Sequence, residues 1–147
     1  MKNIVKDRSK RLLVICIVMM LISMIATNLI QTNFGKVEVK TLTIETISGH
    51  TMSAKLYIPK TATPENPAPT VVYAHGWYNN KENADMFTTE YARRGYVVLA
   101  IDMYSHGNSE NLTNTETADG AYGLYDACYY VSSLPYVDRT RIIASGH

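Results

Sequence analysis

Hydrophobic and polar positions follow three successive rhythms along this chain. The first rhythm is an unbroken apolar run. Residues 12 to 30 read LLVICIVMMLISMIATNLI, and no charged side chain appears between Arg11 and Lys36. A helix of about 20 apolar residues crosses the hydrocarbon core of a bilayer, so the run predicts a transmembrane helix. The second rhythm has period two. Over 36 to 46, Val37, Val39, Leu42 and Ile44 are interspersed with polar residues, and β-branched types abound, which predicts a strand. Ser48, Gly49 and His50 predict a turn, and 52 to 59 its hairpin partner. The stretch 61 to 69 holds three prolines and predicts a surface loop.

The third rhythm is one of short continuous apolar runs separated by helical patterns. TVVYAHG (70 to 76), YVVLAID (96 to 102) and RIIAS (141 to 145) have the composition of strands buried on both faces of a parallel sheet. A helix is predicted over 81 to 94, capped by Asn79 or Asn80 and ended by Gly95, with Ala84, Phe87 and Tyr91 as its apolar stripe. A polar loop follows from 103 to about 116. A second helix is predicted over 118 to 134, with Leu124, Cys128, Val131 and Leu134 on one face and Pro135 stopping it. Strands alternating with helices predict an α/β fold built from βαβ units. The chain thus divides into a basic start (1 to 11), an apolar span (12 to 30), a linker (31 to 36) and an α/β region (37 to 147).

Composition narrows this picture. With 46% apolar and 18% charged residues, the chain is not intrinsically disordered. A length of 147 residues allows at most one domain. The net charge of +1 gives no electrostatic footprint for nucleic acid. The distribution of charge is more informative. Residues 1 to 11 carry +4, leaving −3 on the rest. Basic flanks stay on the cytoplasmic side, which predicts a single-pass anchor with residues 36 onward outside the cytoplasm of a bacterial cell. Cleavage after Ala26 would place Met24 at the −3 position, and cleavage before Cys16 would need a small residue where Ile15 stands. Both are poor processing sites, which favours an uncleaved signal anchor. Cys16 lies in the span and Cys128 in the α/β region, so no disulfide framework is expected. Both read as small buried apolar residues.

Several local features then stand in a fixed order. His75-Gly76-Trp77 follows the first parallel strand. Asp102, Gly107 and Ser109 follow the second, in DMYSHGNSE. LPYVDRTRI leads into the third, which ends on Ser145-Gly146-His147. This set resembles the N-terminal half of an α/β-hydrolase, in the broad group of dienelactone-hydrolase-like, FrsA-like and acyl-peptidase-like serine hydrolases. The resemblance covers residues 37 to 147. It implies an incomplete α/β-hydrolase fold, with an antiparallel hairpin leading into parallel βαβ strands and the last strand beside the 70 to 75 strand. It also implies an acyl substrate, either a small molecule or a peptide, and no cofactor or metal.

In such enzymes the turn after the third strand reads G-x-S-x-G, the nucleophile elbow. Gly146 and His147 match its first two positions, and the serine would come next. The acid and the catalytic histidine come later in that family's order. The resemblance therefore implies a fragment that lacks nucleophile, acid and base and is inactive by itself. What remains is part of the oxyanion hole: the backbone N–H of Trp77, with Gly76 and His75 in support. Asp102 is expected to hold its loop by hydrogen bonds to backbone. Asp138 and Arg141 are expected to orient the approach to the last strand, and Tyr122, Tyr125, Tyr129 and Tyr130 to pack the second helix. His50 and His106 read as turn and loop residues, and no histidine has metal-site spacing. Two other readings stand beside the hydrolase: a short membrane-anchored binding protein with a non-catalytic half domain, or the front of a multi-pass membrane protein.

Overall fold

A computed structural model of the chain describes residues 2–113 and 121–147. The predicted start of the second helix, 118 to 120, and the end of the polar loop, 114 to 116, lie outside the described residues. Helix α1 (Lys2–Gln31) is followed by β1 (Val37–Glu45), β2 (Thr51–Pro59) and β3 (Ala68–Ala74). A 3-10 turn (Lys81–Ala84) leads into α2 (Asp85–Arg93) and β4 (Val97–Ile101). A second 3-10 turn (Ala121–Gly123) leads into α3 (Leu124–Ser132) and β5 (Val137–Gly146).

The strands form one sheet in the order β1-β2-β4-β3-β5. β1, β2 and β4 run antiparallel, and β4, β3 and β5 run parallel. Apolar side chains alternate between the two faces of the central strands, as period-two geometry requires. Met52, Leu56, Val72, Leu99 and Ile101 meet Ala127 and Val131 of α3 on one face. Tyr57, Val71 and Val98 meet Ala92 of α2 on the other. Every residue of β4 is buried, because β4 has strands on both sides and a helical layer over each face.

β5 departs from the sequence expectation. It begins at Val137 rather than 141, and its side chains are mostly exposed rather than buried. Among the described residues it pairs with β3 alone, and Ile143 is 50% exposed. Its pairing shifts register between Ala68 and Thr70. There Asp138 accepts hydrogen bonds from Thr140 N at 2.9 Å and Arg141 Nε at 2.6 Å, so the Asp138–Arg141 pair lies within the strand rather than before it. The Asp138 carboxyl is held down to about 2, first by the Thr140 hydroxyl, then by its N–H and by Arg141.

The first helix also differs from its predicted stripe, whereas Leu124, Cys128, Val131 and Leu134 of the second pack in or against the core as predicted. The predicted 81 to 94 helix begins as a 3-10 turn, with Asn80 capping Glu82 N at 3.0 Å. Its buried face is Ala84, Thr88 and Ala92, one step round from the predicted stripe. Phe87 is half exposed and stacks on Tyr73. On α3, Tyr130 packs against the core, while Tyr125 and Tyr129 face outward.

α1 contains one stretch, Asp7–Gln31, long and apolar enough to cross a membrane, and its most apolar part is not buried within the protein. Cys16 is accordingly exposed rather than buried. The helix contains neither proline nor glycine, and it stops where Asn33, Phe34 and Gly35 adopt positive φ. The predicted linker is a hydrogen-bonded turn: Phe34 N donates to Leu29 O at 2.7 Å and Val37 N to Thr32 O at 2.8 Å. Gln31 Nε2 donates to Asp85 Oδ2 at 3.0 Å, and Arg93 donates to Ile30 O at 3.0 Å. Asp85 also accepts from Tyr57 OH and Lys55 Nζ. The last turn of the apolar helix is thus joined to the sheet through α2.

Two substitutions test this packing. Leu99→Ala empties a fully buried site beneath α3 and is expected to cost about 2–5 kcal/mol. Ile143→Ala, on the exposed side of β5, is expected to cost less than about 0.5 kcal/mol. Chemical denaturation of the detergent-solubilised chain measures both, and equal costs would contradict the layer assignment.

Candidate active site at the carboxyl ends of β3 and β4

The chain leaves β3 toward α2 on one face and leaves β4 toward α3 on the other. Neighbouring parallel strands whose connections part in this way open a crevice at their carboxyl ends, the usual ligand position in α/β sheets. The residues marked in the sequence lie around it.

β3 ends at Ala74, so His75, Gly76 and Trp77 form the first turn outside the sheet. The His75 ring is buried. Its Nδ1 lies 2.8 Å from Gly76 O, and its Nε2 lies 3.1 Å from Met103 N. Asn79 N donates to the same Gly76 carbonyl at 3.2 Å and closes the turn. Tyr78 sits within that turn at φ 60, a left-handed conformation that is uncommon outside glycine. Among the described residues, the Trp77 N–H has no protein acceptor. The Trp77 side chain is 60% exposed, with its ring edge-on to His106 and Tyr122.

β5 delivers Gly146 and His147 to the same place. A Cβ at Gly146 would overlap the Ala74 carbonyl, so glycine permits the close β3–β5 approach. A Cβ at Gly76 would stand 3.1 Å from His147 Nδ1. His147 lines a cleft of about 280 Å³ with His75, Gly76, Asn83 and Phe87. It also lines one of about 300 Å³ with Ala74, Met103, Leu124 and Ser145.

At the end of β4, Asp102 is completely buried. Its carboxylate accepts from Lys81 N (2.7 Å), Lys81 Nζ (2.7 Å) and Asn108 N (3.0 Å). Burial pushes its pKa up. The Lys81 ammonium and the two backbone donors more than offset this and hold it below the usual carboxylate range. Gly107 has positive φ, and any Cβ there would overlap the Asp102 carboxylate. Ser109 Oγ donates to Asp102 O at 2.6 Å and accepts from Ser53 N at 2.9 Å. Asp102 thus binds the backbone of its own loop at Asn108 and that of the 81–84 turn at Lys81. Lys81 was not visible in the sequence as its partner, because a lysine amid polar neighbours reads as solvated surface.

Two further anchors were also not anticipated. Glu110 accepts from Thr51 N at 2.8 Å and pairs with His50 at 3.2 Å, so His50 ties a turn to the loop. Tyr104 OH donates to buried Asp126 at 2.7 Å, which also accepts from Ser48 at 2.8 Å. An acid falling among the buried positions of α3 was the available signal for Asp126. Among the described residues no group of three or more His, Cys, Asp or Glu side chains could hold a metal.

Residues 27–147 match the family described as Esterase FrsA-like. The chain belongs to the FrsA-like esterase family. No match is found among curated proteins. Among solved structures, hypothetical protein PA2218 from Pseudomonas aeruginosa is 29% identical with a TM-score of 0.63, over 74% of this chain and 35% of that one. A dienelactone hydrolase-like promiscuous phosphotriesterase from metagenomic libraries is 20% identical with a TM-score of 0.57, over 76% and 49% respectively. The acetyl xylan esterase from Paenibacillus sp. R4 is 20% identical with a TM-score of 0.58, over 76% and 41%. This FrsA-like chain therefore has part of the α/β-hydrolase fold and spans about a third to a half of the length of the structures it matches. The family match starts at residue 27, within the last turns of α1.

The Asp102 cluster gives an ordered prediction. Asp102→Ala leaves the buried Lys81 ammonium with only the Glu82 carboxylate, at 3.9 Å, and is expected to cost about 3–5 kcal/mol. Lys81→Met leaves Asp102 with two backbone donors and should cost less. Because the folded Asp102 carboxyl is more acidic than in the unfolded chain, its contribution is full above about pH 4. It is lost as pH falls through the folded value. Thermal unfolding between neutral and acid pH should show a weaker acid dependence in Asp102→Ala than in wild type. An equal dependence, or a larger cost for Lys81→Met, would contradict the assignment.

Proposed function

We propose that this chain carries the oxyanion-donor portion of a membrane-anchored serine hydrolase that cleaves an ester, thioester or amide through an acyl-enzyme. The observation that carries this reading is the Trp77 N–H. Among the described residues it lies without an acceptor, in a turn beside His147 at the carboxyl ends of the parallel strands. Acyl transfer develops negative charge on the carbonyl oxygen, and a fixed N–H aimed at that oxygen stabilises the transition state. The nucleophile in this reading is a serine directly after His147, where the elbow pattern places it. The second oxyanion donor would be the residue after that serine, and the acid and base would follow in chain order.

Two loop serines within the 147 residues are already occupied. Ser109 is buried between Asp102 O and Ser53 N, and Ser105 Oγ donates to Leu112 O at 3.1 Å. The 147-residue chain is thus expected to react with neither a p-nitrophenyl ester nor a fluorophosphonate probe. A protein that continues past His147 through the elbow should label at the residue directly after it. In that protein Trp77→Pro removes the backbone donor and should lower turnover by about 10²–10³. Labelling of the short chain at Ser105, Ser109 or Ser145 would overturn the reading.

The same proposal makes α1 a retained single-pass anchor with the hydrolase portion outside the cytoplasm. Its support is the apolar length of α1, the basic residues before it, and the bonds from Gln31 and Ile30 to α2. Protease added to intact cells should digest residues 36 to 147 while sparing the N-terminus. Digestion only after lysis would refute this orientation.

A further inference from the structure

We propose that the outer face of α2, together with Phe34, seats in the headgroup layer of the bilayer that α1 crosses, with phospholipid filling the groove between the two helices. This placement rests on the reading of α1 as a retained anchor, and it adds how the α/β region sits on the membrane. The groove has a volume of about 360 Å³. Thr27, Ile30 and Gln31 of α1 lie on one side of it, and Met86, Glu90 and Arg93 of α2 on the other. One wall therefore belongs to the apolar span itself, so whatever surrounds the end of that span also meets α2.

The depth of the groove follows from helix geometry. The 19 residues from 12 to 30 span about 28 Å at about 1.5 Å per residue, close to the hydrocarbon thickness of about 30 Å. Ile30 then lies at the outer hydrocarbon boundary, and Thr27 about 4.5 Å inside it. The opposite wall is held at that level. Gln31 Nε2 donates to Asp85 at 3.0 Å, and Arg93 donates to Ile30 O at 3.0 Å. The turn that follows is closed by its own bonds, Phe34 N to Leu29 O and Val37 N to Thr32 O. A turn bonded in this way is not a free hinge, so α2 stays beside the end of the span.

The side chains at this level suit a lipid interface. Met86 is 72% exposed and Phe34 71%, which presents apolar surface on both sides of the end of α1. Phe34 holds φ 55, a conformation disfavoured for a bulky residue, and its bond to Leu29 O keeps it level with the last turn of α1. The acidic groups of α2 are met within the protein: Asp85 by Lys55, and Glu90 by Arg93 and Arg94. Lys36 and Lys60 are exposed, and Lys60 N donates to Lys36 O at 2.9 Å. That leaves two lysines beside the end of α1 for lipid phosphates, which attract cations near an anionic leaflet. Apolar side chains next to cations match the order of acyl chain and phosphate across a leaflet. Tyr129 of α3 is also exposed, but it lies over the opposite face of the sheet from α2 and serves as the control.

The test reads depth at single positions of the full 147-residue chain. Cys16 and Cys128 are replaced by alanine, and one cysteine is introduced as Ile22→Cys, Phe34→Cys, Met86→Cys or Tyr129→Cys. All four side chains are exposed, so a nitrobenzoxadiazole label at each spares the core. The labelled chain is reconstituted into vesicles of phosphatidylcholine and phosphatidylglycerol that carry a doxyl quencher at a shallow or a deep acyl position. Fluorescence at 22 should be quenched by the deep quencher. Fluorescence at 34 and 86 should be blue-shifted and quenched by the shallow one, and at 129 it should show neither effect. Quenching at 22 with position 86 quenched no more than 129 would overturn the docking and leave the anchor reading intact. No quenching at 22 would refute the anchor reading, and the docking with it. A signal at 86 that is blue-shifted, unquenched by lipid and stronger at higher protein-to-lipid ratio would assign the groove to a second copy of the chain and overturn the lipid occupant.

Discussion

A carboxylate sealed at the end of a central strand must be met by donors, because an unpaired buried charge costs several kcal/mol. At Asp102 the donors are the Lys81 ammonium, the Lys81 N–H and the Asn108 N–H. They come from two separate segments: the start of the 81–84 turn and the loop after β4. Meeting the needs of one charge therefore fixes two loops relative to each other. Gly107 is required where that loop passes over the carboxylate. Ser109 then extends the network to β2 through Ser53, and Glu110 through Thr51. The crevice at the carboxyl ends of the strands is as rigid as this network makes it.

The sheet supplies the platform beneath. Its central strands are buried on both faces, and β3 and β4 present their ends side by side. The His75 ring adds a second tie between the loops leaving those ends. Asp102 uses charge to join α2's approach to the β4 loop, whereas His75 uses two neutral hydrogen bonds to join the β3 loop to Met103. Both act on backbone, which suits a site whose proposed contribution is a backbone N–H.

The apolar helix is not an independent appendage. Its final turn bonds to Asp85 and Arg93 of α2, and Asp85 is also held by Tyr57 and Lys55 from β2. Burial, and then the hydrogen bond to Asp85, push the Tyr57 hydroxyl well above the usual tyrosine range, so it remains a donor to that carboxylate. The match to the FrsA-like family from residue 27 agrees with a unit that includes the helix end.

Hydropathic rhythm alone determined much of this. The apolar run has no alternative burial, and it emerged as an exposed helix. The period-two stretch paired as the β1–β2 hairpin, and the continuous runs became β3 and β4, because strand periodicity and β-branched composition are local properties. The order of His75-Gly76, Asp102 and Gly146-His147 was enough to indicate the α/β-hydrolase family, and the placement of β5 beside β3 followed. Burial was less legible. Ile143 reads as core in the sequence but lies exposed, since its environment depends on what covers an outer strand and not on the strand itself. Phe87 looked like a core residue of α2, yet Thr88 occupies the buried face, because helix phase is set by docking against the sheet. The partners at the crevice were decided only in three dimensions. Lys81 and Asp102 are 21 residues apart, and other ties join residues 28 and 56 apart. A side chain's hydrogen-bond partner across such distances is set by strand order and register, which no local pattern encodes.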